Sequence, residues 1–156
     1  MAPMRDLYIF DIDGTLADCS HRIDVLADRS DQDRHMKFAQ LCHLDAPVTA
    51  VLRTMHALRR SADIWLFTGR SDQWRRQTVE WLREHAGLSA EELDTSLVMR
   101  RAGDTRSDAV VKREFLDAML ECDRARLVAV FEDRDRVVSM WRAAGIPCFQ
   151  VAPGGF

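Results

Sequence analysis

The stretch Leu7-Tyr8-Ile9-Phe10-Asp11-Ile12-Asp13-Gly14-Thr15 decides the fold. Its opening run, Leu7 to Asp11, reads as a strand buried on both faces, which an open sheet provides only where helices cover it on both sides. The run ends in two carboxylates two residues apart, and in extended chain that spacing sends both to the same side. Gly14 then lets the backbone turn sharply away. Open parallel sheets bind ligands at the carboxyl ends of their strands, so Asp11 and Asp13 stand where chemistry is expected.

Working outward, further strand-like runs are Asp63 to Thr68, Ser96 to Met99, Leu127 to Glu132 and Cys148 to Val151, rich in β-branched or aromatic residues. Helical patterns lie between them at Val48 to Leu58, Asp72 to His85, Asp108 to Leu120 and Arg134 to Ala144. Ser71 is a candidate helix cap, and Gly87 and Gly145 candidate helix ends. This alternation predicts an α/β fold: a three-layer, Rossmann-like open parallel sheet of about five strands with right-handed crossovers. The polar segment Asp18 to Asp45 interrupts the pattern after the first strand, and the apolar spacing of Met36, Phe38, Leu41 and Leu44 within it predicts a small helical cap insertion. Residues 1–156 are then expected to be a single domain with 18–45 as its cap, and the length leaves no room for a second full domain.

The remaining strand ends carry polar groups toward the same rim. Thr68-Gly69-Arg70 offers a hydroxyl, a flexible turn and a guanidinium, together with Lys112 a seat for phosphate oxygens. Asp108 and Lys112 lie four residues apart on one helix, so Asp108 is expected to hold the ammonium. Glu132-Asp133 brings a second acid pair, and an acid there would complete an oxygen site for Mg2+. Each motif has an ordinary structural counterpart: a solvated turn for D-x-D, a surface salt bridge for the i,i+4 pair, dipole-favoured acids at a helix start. Their convergence on one rim is what points to chemistry.

Composition excludes several classes. A net charge of −3 argues against a protein that coats DNA. The lysines are Lys37 and Lys112, so the rest of the 22 basic residues are arginine. Cys19, Cys42, Cys122 and Cys148 show no metal spacing and are expected to stay reduced, and the histidines form no zinc pattern. No apolar run could cross a bilayer and Met1 to Asp6 lacks a secretory signal, so a cytoplasmic protein without a membrane partner is expected. Trp74, Thr78 and Trp81 share a helix face read as core, which leaves monomer or homodimer open.

Taken in order, the motifs resemble those of the haloacid dehalogenase-like phosphohydrolases. Two longer runs are similar to the 3′-phosphatase domain of bacteriophage polynucleotide kinase-phosphatase. The first is Gly103-Asp104-Thr105-Arg106 with Asp108, Val110, Val111 and Lys112; the second runs from Glu132-Asp133-Arg134 through Met140-Trp141-Arg142 to Gln150-Val151-Ala152. The resemblance implies Asp11 as nucleophile, Asp13 as general acid and base, and Arg22, Arg70, Asp108 and Lys112 as further essential residues. It implies Mg2+ held by Asp11, the Asp13 backbone carbonyl and Asp133, with Thr68, Gly69, Arg70 and Lys112 on the phosphate. Arg22, in the insertion, is expected to contact or gate that phosphate. Where the family has two aspartates this chain has Glu132 before Asp133, so Glu132 is expected to act through a metal-bound water.

The expected activity is removal of a 3′-phosphate from DNA or RNA ends through an aspartyl-phosphate, as nucleic acid repair. The alternative is a nucleotidase or small-molecule phosphomonoesterase of the same superfamily; a non-catalytic binding protein on this fold is a third reading. No G-x-x-x-x-G-K-[ST] loop occurs, so no kinase domain is expected and any kinase or ligase would be a separate protein.

Overall fold

The structure, a computed structural model, describes residues 4–155. Five parallel strands form the central sheet: β1 (Leu7–Phe10), β4 (Asp63–Ser71), β5 (Leu97–Arg100), β6 (Leu127–Glu132) and β7 (Cys148–Gln150), in the order β5-β4-β1-β6-β7. β1 lies at the centre, pairing Phe10 with Leu66 on one side and with Phe131 on the other. Asp11 therefore leaves the sheet between the ends of β4 and β6, where the order of strands reverses and a crevice opens.

Alternation along these strands feeds two cores. On one face Phe10 and Leu66 pack with α3 (Thr49–Arg59), α4 (Arg75–Ala86) and α5 (Ala90–Ser96), through Leu52, Met55, Trp81, Leu82 and Leu93. On the other face Leu7, Ile9, Phe67 and Val130 meet α6 (Asp108–Ala118) and α8 (Asp135–Ala143), through Leu116, Val137, Val138 and Trp141. The three-layer parallel α/β architecture expected from the sequence is thus observed. No helix among the described residues is long and apolar enough to cross a membrane.

The differences have local causes. β4 runs three residues past Thr68 with an irregular register before Ser71, and Ser71 accepts from the Gln73 amide at 3.3 Å, so a 3-10 turn precedes α4. α5 was not expected, although Ser89 and Glu92 form a reciprocal capping box that starts it. The short α7 (Glu121–Ala125) is also additional.

The insertion after β1 contains α1 (Ser20–Ile23) and α2 (Arg34–Gln40), and its two ends join as an antiparallel ribbon of β2 (Ala17–Asp18) and β3 (Ala46–Pro47). Its apolar spacing is not what holds it: Met36 and Leu44 are exposed, while Arg22, Cys42 and Asp45 are buried. Polar bonds take the place of an apolar stripe.

Trp141 is fully buried, with its ring centroid 6.2 Å from that of Phe67, and its indole nitrogen has no hydrogen-bond partner. Trp141→Ala should lower unfolding free energy by about 3–5 kcal/mol, whereas Trp141→Phe, which removes an unsatisfied donor along with some volume, should cost less than about 1.5 kcal/mol. Urea denaturation of the three proteins checks this; equal losses for both variants would contradict it.

Candidate functional site

β1 delivers Asp11 to the crevice, where it is buried in the company of Glu132 and Asp133 from the end of β6. One carboxylate oxygen from each of the three lies within 4.8 Å of the others. Lys112 reaches in from the first turns of α6 and donates to Asp11 Oδ1 and Glu132 Oε2, both at 2.6 Å. Two carboxylates thus share one ammonium, with Asp133 beside them. Burial and then repulsion from Glu132 push Asp11 well above the ordinary carboxylate range, against the pull of Lys112. Burial and the Asp11 carboxylate push Asp133 up to about 6. Burial opposes the charge on Lys112, but Asp11 and Glu132 outweigh it and raise its pKa.

Close packing of backbone makes this crowding possible. Gly14 has φ +79°, and a Cβ there would stand 2.1 Å from Asp133 Oδ2. A Cβ on Gly69 would meet Asp108 Oδ1 at 2.7 Å. At both positions any side chain would displace a site carboxylate.

Beside the acids lies a second, charge-balanced cluster. Arg70, from the end of β4, donates to Asp13 from Nε at 3.0 and 3.1 Å and from Nη2 at 2.7 Å. Arg22, from α1, donates to the same carboxylate at 2.5 Å. Burial works to raise the Asp13 pKa, but the Arg70 and Arg22 guanidinium groups prevail and hold it well below the usual range. Both arginines also grip Asp45: Arg22 Nε and Nη2 at 2.7 and 2.6 Å, Arg70 Nη2 at 3.0 Å. Arg22 further donates to the Phe38 carbonyl at 3.1 Å and lies over the Phe38 ring at 4.0 Å, so Phe38 packs within the insertion.

The structure brings Asp11, Lys112, Glu132 and Asp133 together, and Asp13, Arg22 and Arg70 beside them. Thr68 is buried at the end of β4, where its hydroxyl accepts from the Arg70 amide at 3.1 Å. Gly69 follows, and its carbonyl accepts from Arg100 Nε at 2.7 Å. One expectation is corrected: Asp108 does not hold Lys112. Lys112 turns inward to the buried acids of the sheet, and Asp108, the first residue of α6, is bound by Arg100 and Arg134 instead. Glu132, expected to act through a metal-bound water, anchors Lys112 through Oε2 and accepts from the Asp133 amide at Oε1 at 3.1 Å.

Sequence reading missed Asp45, Arg100 and Arg134 as parts of this region. Asp45 carried one usable signal: assigning two arginines to a buried site with Asp13 alone to balance them calls for another acid. Asp45 also accepts from His21 at 2.8 Å, and its backbone carbonyl takes the Trp81 indole N–H at 2.8 Å, tying the insertion to α4.

The donor set fits a small divalent cation. Mg2+ prefers oxygen ligands, tolerates few protein carboxylates and keeps waters, and here acids outnumber their buried counter-charge at one point of the sheet.

The chain matches known proteins over its whole length. The sequence model of the polynucleotide kinase PNKP phosphatase domain matches residues 5–156. A chain of the Pnkp1/Rnl/Hen1 RNA repair complex is 27% identical and superimposes with a TM-score of 0.75, over 100% of this chain and 45% of that one. In a second structure of the Pnkp1/Rnl/Hen1 complex the identity is 28%, the TM-score 0.72 and the coverage 100% and 49%. This chain therefore spans about half the length of those two. CbbY from Rhodobacter sphaeroides, in complex with phosphate, shares the fold at 17% identity and a TM-score of 0.59, covering 98% of this chain and 88% of its own.

Asp45→Ala leaves Arg22 and Arg70 buried with Asp13 as their shared carboxylate, and should cost about 3–5 kcal/mol of stability. Asp45→Asn, whose amide oxygen still accepts, should cost less. Chemical denaturation measures both; a loss below about 1 kcal/mol for the alanine variant would show that the network contributes little.

Proposed function

The chain belongs to the family of polynucleotide kinase phosphatase domains and is a phosphatase, a hydrolase of the HAD-like fold; on that premise we propose that it removes 3′-phosphates from DNA or RNA ends in a Mg2+-dependent reaction. The observation that carries this reading is the setting of Asp11: a buried carboxylate at the end of the central strand, fixed through one oxygen by Lys112, among further acids.

In this reading an Asp11 oxygen attacks phosphorus and the bond from phosphorus to the 3′-oxygen breaks, leaving an aspartyl-phosphate. Asp13, having taken up a proton from solvent as the incoming phosphate draws arginine donors away from it, delivers that proton to the departing 3′-oxygen. It then takes one from the water that attacks the phosphorus, which returns Asp11 and releases inorganic phosphate. Lys112, Arg70, Thr68 and the backbone at Gly69 hold the phosphate oxygens. Mg2+, held by Asp11, the Asp13 carbonyl and Asp133, would offset phosphate charge. Arg22 and Arg70 orient Asp13. Each donor moved from Asp13 to an incoming phosphate loosens the hold that keeps Asp13 ionised, which is what a proton carrier requires.

Residues 18–45 serve in this proposal as a small cap whose Arg22 reaches the site, and Asp108 acts through the arginines that it binds. One matched chain belongs to an RNA repair complex, which supports a setting in nucleic-acid end repair.

Phosphate release should be measured from a 3′-phosphorylated oligonucleotide, its 5′-phosphorylated counterpart and a 3′-mononucleotide, with Mg2+ or with chelator. The 3′-oligonucleotide should be preferred at least about tenfold, chelator should abolish turnover, and Asp11→Asn should lower kcat by on the order of 10³ or more. Equal turnover of the mononucleotide would move the substrate to small phosphomonoesters. Near-normal activity of Asp11→Asn would remove the covalent mechanism.

A further inference from the structure

Asp133 stands just past the end of β6, where the sheet no longer gives its backbone a strand partner: pairing with β7 stops at Glu132 and Gln150, and the last ladder bond runs from the Val151 amide to the Glu132 carbonyl at 2.9 Å. The Asp133 amide donates to Glu132 Oε1 at 3.1 Å. Its carbonyl accepts from a side chain, Gln150 Nε2, at 2.9 Å, and the same nitrogen reaches Asp135 Oδ1 at 2.7 Å. Gln150 thus carries the β6–β7 pairing beyond its end and across the loop that joins Asp133 to α8.

The segment after β7 then folds back over the same loop. Gly154 is buried, and its carbonyl accepts from the Asp135 amide at 2.9 Å, one of the donors that the start of α8 cannot satisfy within the helix. A Cβ on Gly154 would stand 2.1 Å from the Asp133 carbonyl oxygen and 2.5 Å from Arg134 Cα. The backbone of Gly154 is not left-handed, so space rather than conformation requires the glycine. Gly155 is different: a Cβ there would meet Asp135 Oδ2 at 3.6 Å, an ordinary contact.

The Asp133 carboxylate itself accepts from Thr15 Oγ1 at 3.5 Å, the long limit of such a bond, so its direction depends on where its backbone is held. Groups that orient a metal ligand from behind set the affinity of a metal site as the ligands do. We propose that Gln150 and Gly154 are positioning residues for the metal: between them they clamp the Asp133 backbone, so that its carboxylate is aimed toward those of Asp11 and Glu132 before any ion arrives. The assignment rests on the reading of Asp133 as a Mg2+ ligand.

The test reads metal binding without turnover. Mn2+, which takes oxygen ligands as Mg2+ does, is titrated into chelator-stripped protein, the free ion is followed by its EPR signal, and Mg2+ is added as competitor. The wild-type protein should bind Mn2+ that Mg2+ displaces, and Asp133→Asn should lose it. Gln150→Met, which keeps the length of the side chain and removes the donor, should raise the Kd about tenfold. Gly154→Ala should raise it at least as much, and Gly155→Ala should bind as the wild type does. Thermal unfolding in chelator accompanies each titration, because a purely structural role lowers Tm there and leaves the Kd of the folded protein unchanged. An unchanged Kd for Gln150→Met overturns the assignment, whether or not Gly154→Ala folds. Equal weakening by Gly154→Ala and Gly155→Ala also overturns it, since that would mark general loosening of the tail; in both cases a site lost in Asp133→Asn leaves the metal reading standing. Wild-type protein without displaceable Mn2+, or Asp133→Asn that retains it, removes the metal reading and the assignment with it.

Discussion

The buried ion pairs of Lys112 with Asp11 and Glu132 are the constraint around which the rest of this structure is arranged. Burying a charge costs several kcal/mol unless it is paired and hydrogen-bonded. The carboxyl end of the sheet nevertheless concentrates Asp11, Asp13, Asp45, Glu132, Asp133, Arg22, Arg70 and Lys112 in one crevice. The arginine half is balanced, two guanidinium groups against Asp13 and Asp45, with geometry dense enough to fix each partner. The lysine half is not balanced, and its excess is acidic. A fold built for stability alone would have little use for that excess. The proposed attack on phosphate beside a cation would need it.

Topology supplies the closeness that such pairing requires. Because β1 is central, Asp11 is flanked by the ends of β4 and β6, and residues far apart in the chain meet there without any long side chain having to stretch. Gly14 and Gly69 remove the remaining obstruction, since a side chain at either would occupy the place of the Asp133 or the Asp108 carboxylate. The insertion follows the same logic. With Met36 and Leu44 exposed, it is secured to the domain by Arg22, Asp45 and the Trp81 hydrogen bond, so the groups that place it are also groups of the site.

Much of this was legible in the residues, for a physical reason. A strand buried on both faces shows in an apolar run, so the core strands could be read nearly to their ends, and the acids that interrupt such runs announce the rim. Short polar helices such as α7 lack a period long enough to detect. α5 could have been found from Ser89 and Glu92. Asp45 left almost no local trace, because its role depends on Arg22 and Arg70 arriving from two other segments; its carboxylate reads like any loop aspartate until those neighbours are known.

Asp108 shows how a local rule gives way to tertiary context. Residues four apart on a helix are neighbours, and on a solvated face the pair with Lys112 would have formed. Here α6 packs against the sheet, and Lys112 lies where a buried ammonium gains more from Asp11 and Glu132 than from a half-exposed carboxylate. Asp108, at the first position of the helix, faces the Gly69 turn and finds Arg100 and Arg134 waiting at its two oxygens. The consequence is a division of labour along a single helix. Lys112 reaches inward to the buried carboxylates of Asp11 and Glu132, and Asp108 reaches the other way to the guanidinium groups of Arg100 and Arg134.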